Sequence, residues 1–273
     1  MLATKPPTSA PNFLSVLHRY AGTGDWGFAF YRTTYTYDEE TWSVIKQRLN
    51  TLIESTFDYY RNIDGVNEAR QRWKLLWIED ADTFNGMAPE KLAEHYRGTM
   101  DKLPANYQHS MLFAVDDASA RSILLADSDP EKVHNRPRLG DVIPFVVAMD
   151  AYLGLDEPVE AEPEGEISPA DELDDEDDDL QHWHGPFRAH PGSIVDGIYT
   201  IVASQSMEMY EFAYAAHGND DVWWDSHGGV WTLDDQGRYA ERLFESAAQL
   251  RVEYREKKEA TSTAPAGSES GEL

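Results

Sequence analysis

The chain has 273 residues, 41% hydrophobic and 12% aromatic, enough apolar side chain to bury a sizeable core, and it carries no cysteine. That composition removes disulfides, thiolate nucleophiles and cysteine-ligated zinc. The formal net charge of -27 disfavours nucleic-acid backbones and anionic membranes, whose counterions must be displaced by Lys and Arg.

In chain order, "MLATKPPTSAPNFLSVLHRY" lacks an apolar run of signal-peptide length, and no stretch reads as a membrane span, so a cytoplasmic protein is expected, with the nucleus also open to it. "AGTGDWG" is glycine-rich but precedes a strand instead of following one, so it reads as an entry loop and not a phosphate cradle. "WGFAFYRTTY" predicts the first strand, with Trp26, Phe28 and Phe30 on its buried side. Arg32 is its one charged side chain, either paired structurally with a carboxylate or facing a ligand pocket. Thr36 and Glu39 have the spacing of a capping box, and Trp42, Ile45, Leu49, Leu52, Thr56 and Tyr60 recur at helical spacing.

"KLLWIED" predicts a second strand, "MAPEKLAEHYRGTMDKL" a helix with an early proline, "SMLFAV" a strand, "DDASARSILLA" a short helix and "DVIPFVVAMDAYL" a strand with Pro144 near its start. The order strand-helix-strand-strand-helix-strand, with an extra helix between the middle strands, is that of an α+β ferredoxin-like plait, in which helices cover one face of an antiparallel sheet. Residues 1–153 would build it.

Residues 156–179 hold fourteen carboxylates and no basic residue, about half of the excess charge, and are expected to form a disordered acidic insertion at about 156–180. Beyond it, Ser193 and Asp196 have capping spacing, and Ile194, Ile198, Ile201, Met209 and Phe212 trace a helical stripe weakened by Gly197 and interrupted by Gln205. "YAERLFESAAQLRVEYREKKEA" predicts a further helix. The expected organisation is one α+β domain over 1–258, with a helical and aromatic extension, and a disordered tail over 259–273.

The stretch "VWWDSHGGVW" sets Asp225, Ser226 and His227 among tryptophans. In an extended chain Asp225 and His227 share a face and Ser226 points away, so no local catalytic triad forms. Gly228 and Gly229 read as a turn between aromatic strands, and Trp223, Trp224 and Trp231 as buried surface. Trp223, Trp224 and His227, with Arg32, are the candidate ligand-binding residues if the segment lines a pocket. His182 and His184 project to one side of a strand and His190 follows, which is how many metal sites begin; a solvated surface is the favoured reading, and no metal or other cofactor is expected.

The segments "GDWGFAFYRTTYTYDEETW" and "SMLFAVDDASARSIL", with the helix between them and the strand and acidic interruption that follow, resemble a group of uncharacterised filamentous-fungal proteins. Those proteins open on a WGF-x-x-YRT-x-Y segment and carry a DE-x-x-LRS type segment, here Asp116 to Ile123. The resemblance covers the first half well and the second half loosely. It implies a fungal intracellular protein and brings no activity and no catalytic residue. Two functions are therefore expected in order: a non-catalytic interaction protein whose acidic loop meets a basic protein partner, then a small-molecule binder or enzyme of a fungal metabolic pathway using the Trp-rich second half.

Overall fold

The computed structural model describes residues 9–107, 109–127, 129, 137–155, 185–205, 221–224, 229–234 and 236–239. All of them belong to one compact unit, residues 1–241. The acidic stretch 156–179, Met209, Phe212, the tail and, beyond Tyr239, the rest of the helix expected to start there lie outside the described residues.

The described residues open with α1, Asn12–Val16, which runs on as a π-helical turn to Ala21. Strand β1, Trp26–Arg32, then leads to α2, Glu39–Tyr59, and α3, Val66–Arg72. Next come β2, Trp73–Ile78, α4, Ala81–Phe84, α5, Pro89–Met100, β3, Met111–Val115, α6, Asp117–Leu125, and β4, Val146–Asp150. After the acidic stretch lie β5, Phe187–Ala189, a 3-10 turn Pro191–Ser193, a π turn Ile194–Tyr199 and α7, Thr200–Ser204. Strands β6, Val222–Trp223, and β7, Val230–Trp231, close the sheet.

The strands form one mixed sheet in the order β2-β1-β3-β4-β5-β6-β7. β1 pairs in parallel with both β2 and β3, and β4 pairs antiparallel with β3 and β5. The ferredoxin-like plait is therefore not the fold that forms. A plait places β2 beside β3 and β4 beside β1; here β2 lies beside β1 and β4 beside β3. The cause is in the connections. β1 reaches β2 through α2 and α3, and β2 reaches β3 through α4 and α5; helical crossovers of that length join parallel strands. The first crossover moves one way across the sheet and the second moves back, so crossovers of the same hand set α2 and α5 on opposite faces.

β1 is accordingly buried along its whole length, on both faces. Trp26, Phe28 and Phe30 join the core under α1, α2, α3, α6 and the run Ile194–Ser204, while Ala29 and Tyr31 join a second core with Phe84, Leu92 and Tyr96 of α4 and α5. The expected helical stripe of α2 holds: Trp42, Ile45, Leu49, Leu52 and Thr56 are buried. Its cap differs. Asp38, not Thr36, accepts the Thr41 amide, because Thr36 is drawn to Asp117. α5 starts on Pro89, whose missing amide costs nothing in the first turn.

In the second half, Ser193 and Asp196 do not form the expected cap. Ser193 donates to the His190 carbonyl (2.6 Å), and the Asp196 carboxylate accepts the Tyr60 hydroxyl (2.8 Å) and the Phe13 amide (3.4 Å), tying the run to α1 and the end of α2. Gly197 does more than weaken a helix. A Cβ placed there would lie 3.2 Å from the Trp223 ring, so the missing side chain is the seat of that tryptophan. Gln205, at φ 51°, ends α7 in the left-handed region.

Candidate functional site

In an open sheet with parallel strands, the natural crevice for a ligand lies beyond the carboxyl ends of two neighbours whose connections leave in opposite directions. Here those neighbours are β1 and β3. Each of β1, β2 and β3 leads into a helix, and each helix is capped by an aspartate: Asp38 for α2, Asp80 for α4 and Asp116 for α6. Three helix N-termini and their carboxylates thus gather at one end of the sheet.

Arg32 is the buried cation of this end, at 3% exposure. Its guanidinium lies 4.3 Å from the Tyr35 ring and 4.4 Å from the Trp42 ring. It donates to Glu39 Oε1 (2.7 Å), the Thr34 carbonyl (3.0 Å) and the Tyr37 carbonyl (3.3 Å). The structural pairing expected for Arg32 is what the geometry displays: a planar fork holding the loop after β1 against the first turn of α2.

The other polar groups engage one another in the same way. Thr36 and Thr34 donate to one oxygen of Asp117 at 2.6 and 2.9 Å, and these hydroxyls, the Thr36 contact foremost, hold the Asp117 carboxyl below its ordinary range. The Thr41 amide lowers Asp38, and the Thr83 hydroxyl lowers Asp80. Glu79 accepts from the Trp42 indole (2.5 Å) and from Lys46 (3.2 Å). The Thr33 amide and hydroxyl both donate to the Val115 carbonyl, stitching β1 to β3 beyond the last paired residues. Chemically, this arrangement fixes two strand-to-helix turns together and favours the charged form of Asp38, Asp80 and Asp117.

Sequence reasoning found Arg32 and missed Thr34, Thr36, Glu79 and Asp117. The available signal was position: short polar residues immediately past the end of a buried parallel strand, in "TTYT" and "DD", meet where the two strand-to-helix turns come together.

The remaining candidates do not join Arg32. Trp223 lies on β6, four strand spacings from β1, a separation of about 19 Å. Its side chain is 2% exposed and belongs to the main core. Trp224, on the opposite face, is 39% exposed and stacks flat on Trp231, with ring centroids 5.2 Å apart and planes 8° apart. Asp225, Ser226 and His227 lie outside the described residues, as do His182 and His184. His190 is buried, accepts the Gly192 amide at Nδ1 (3.2 Å) and meets the Trp231 ring edge-on at 4.8 Å. Among the described residues no group of three or more His, Asp or Glu side chains is placed to hold a metal ion, and no helix is long and apolar enough to cross a membrane.

Comparison with models of known families, with curated proteins and with solved structures returned no match to this chain.

Because Glu39 is 81% exposed, removing Arg32 leaves a carboxylate that water can solvate, so the loss falls on the ring sandwich and the two carbonyls instead of on a stranded buried charge. Arg32→Ala should cost about 2–3 kcal/mol in urea unfolding. Arg32→Lys keeps the charge but not the fork and should recover less than half of that. Full recovery by lysine would contradict the pinning role.

Proposed function

We propose that this is a non-catalytic interaction protein of the cell interior whose acidic stretch, residues 156–179, meets a basic protein partner. The observation that carries the reading is where that stretch is inserted. β4 and β5 pair antiparallel, with Ala148 opposite Phe187, and neighbours of that kind need only a short turn between them. The chain instead interposes fourteen carboxylates with no basic residue. Topology does not require them, so their use lies elsewhere, in attraction to positive charge. The strand ends support the same reading, since Arg32, Thr34, Thr36, Glu79 and Asp117 are each engaged by neighbouring protein groups. We place the protein in the cytoplasm and, through its "WGFAFYRTTY" segment, with the filamentous-fungal group it resembles.

Replacing 156–179 by a short Gly-Ser turn is the test. The melting temperature should stay within a few degrees. Binding to poly-L-lysine, measured by titration calorimetry, should be strong and salt-sensitive in the full chain and much weaker in the deletion. Equal binding by the deletion variant would overturn the proposal, and collapse of the fold would show the stretch to be structural.

A second reading, a small-molecule binder or enzyme in the Trp-rich half, is favoured by one observation: the open face of Trp224 above Trp231. It requires that native mass spectrometry find a small molecule retained by the purified protein and lost in Trp224→Ala.

A further inference from the structure

We propose that His109 is an acid-sensitive latch that holds the run Ile194–Ser204 against the sheet. Its imidazole sits between two rings from different parts of the chain: Phe28 of β1, 4.9 Å away, and Tyr199 of the π turn, 5.5 Å away and perpendicular. Nε2 lies 3.0 Å from the Gly27 carbonyl, so the same side chain is bonded to β1 and packed on the helical run. Tyr199 in turn lies 4.5 Å from Trp26 and 6.4 Å from Trp73. The residue is held from the other side as well, because the His109 amide donates to the Tyr96 hydroxyl of α5.

The surroundings offer little compensation for a positive charge. β1 contributes the Gly27 carbonyl and the turn Ala105–Tyr107 the Asn106 carbonyl, while the Tyr107 phenol interacts with Tyr199. α5 contributes Tyr96 and the π turn Tyr199, while Asp25 interacts with Tyr107 and Arg72 with Tyr199. Burial pushes Tyr96 and Tyr107 up to about 12, and Tyr199 higher, so all three phenols stay neutral. Among the described residues no carboxylate bonds to the ring.

Burial accordingly lowers the imidazole to about 4, against the two carbonyls that favour its charged form. An unfolded histidine titrates near ~6.5. The native state therefore holds fewer protons than the unfolded chain between those values. The contribution is fully present above about pH 6.5 and is lost progressively as pH falls toward 4. Protonation drives the ring out of its slot, and the contact it loses is the one with Tyr199.

The imidazole titration of His109, followed by NMR on carbon-13-labelled protein, should have its midpoint below pH 5. The ratio of folded to unfolded protein should drop on the order of 50-fold more between pH 6.5 and 4.5 in the wild type than in His109→Gln, whose amide keeps a donor for Gly27 and does not titrate. Amides of Ile194–Ser204, corrected for intrinsic rates, should exchange faster at pH 5 than at pH 7 in the wild type alone. A midpoint at or above 6.5, or equal pH dependence in the two proteins, overturns the latch. Should His109→Gln fail to fold, the wild-type titration and exchange data decide by themselves.

Discussion

Gly27→Ala should destabilise the protein by about 4 kcal/mol or more, at the top of the range for a single substitution. Gly27 sits inside β1 at φ 150°, and a Cβ there would meet the Lys74 carbonyl oxygen at 1.9 Å and its carbon at 3.0 Å. The obstacle is backbone of the neighbouring strand, opposite Gly27 in the parallel register, so no rotamer change relieves it. β1 and β2 must part or slip. Gly98→Ala supplies the contrast: Gly98 lies within α5 with nothing within 4 Å of its Cβ position, so alanine should stabilise by up to about 1 kcal/mol. Urea unfolding of the two variants checks both signs, and a mild effect at Gly27 would mean that the strands are not packed as described.

The second large effect lies in the tryptophan pair. Trp223→Ala should cost about 3–5 kcal/mol, because it empties a volume enclosed by the core and left open for it by Gly197. Trp224→Ala removes a partly exposed ring and one stacked contact, and should cost about 1 kcal/mol. Equal losses at the two positions would refute the assignment of faces. Adjacent strand residues point opposite ways, so the sequence alone requires a difference between them; which one is buried follows from the seat at Gly197.

That example marks the limit of what was legible. The existence of β1, α2, α5, β3, α6 and β4 could be read from periodicity, capping residues and the position of Pro89. Pairing could not, because a strand's own residues say little about its neighbour. β1 misled in particular: Gly27, Ala29 and Tyr31 alternate with Trp26, Phe28 and Phe30 and pass for an outward face, yet Ala29 and Tyr31 are fully buried beneath α4 and α5. The better clue was the helix-bearing length between "WGFAFYR" and "WKLLWI", which suits a crossover to a parallel neighbour. At the crevice, Arg32 was visible as a lone charge in an apolar strand. Asp117 was not, since an aspartate opening a helix is ordinary until Thr34 and Thr36 arrive from another part of the chain.

The central place of β1 also governs how the molecule comes together. Its bonds reach across long stretches of chain: the Thr33 hydroxyl meets a carbonyl 82 residues away. The entropy of closing such loops must be met before the pairing returns any free energy, which makes assembly of this sheet slow compared with formation of its helices. Meanwhile "WGFAFYR", buried along its whole length in the finished protein, has neither neighbour nor cover. The period before β3 arrives is therefore when a newly made chain is most open to aggregation, and when a chaperone has the most to shield.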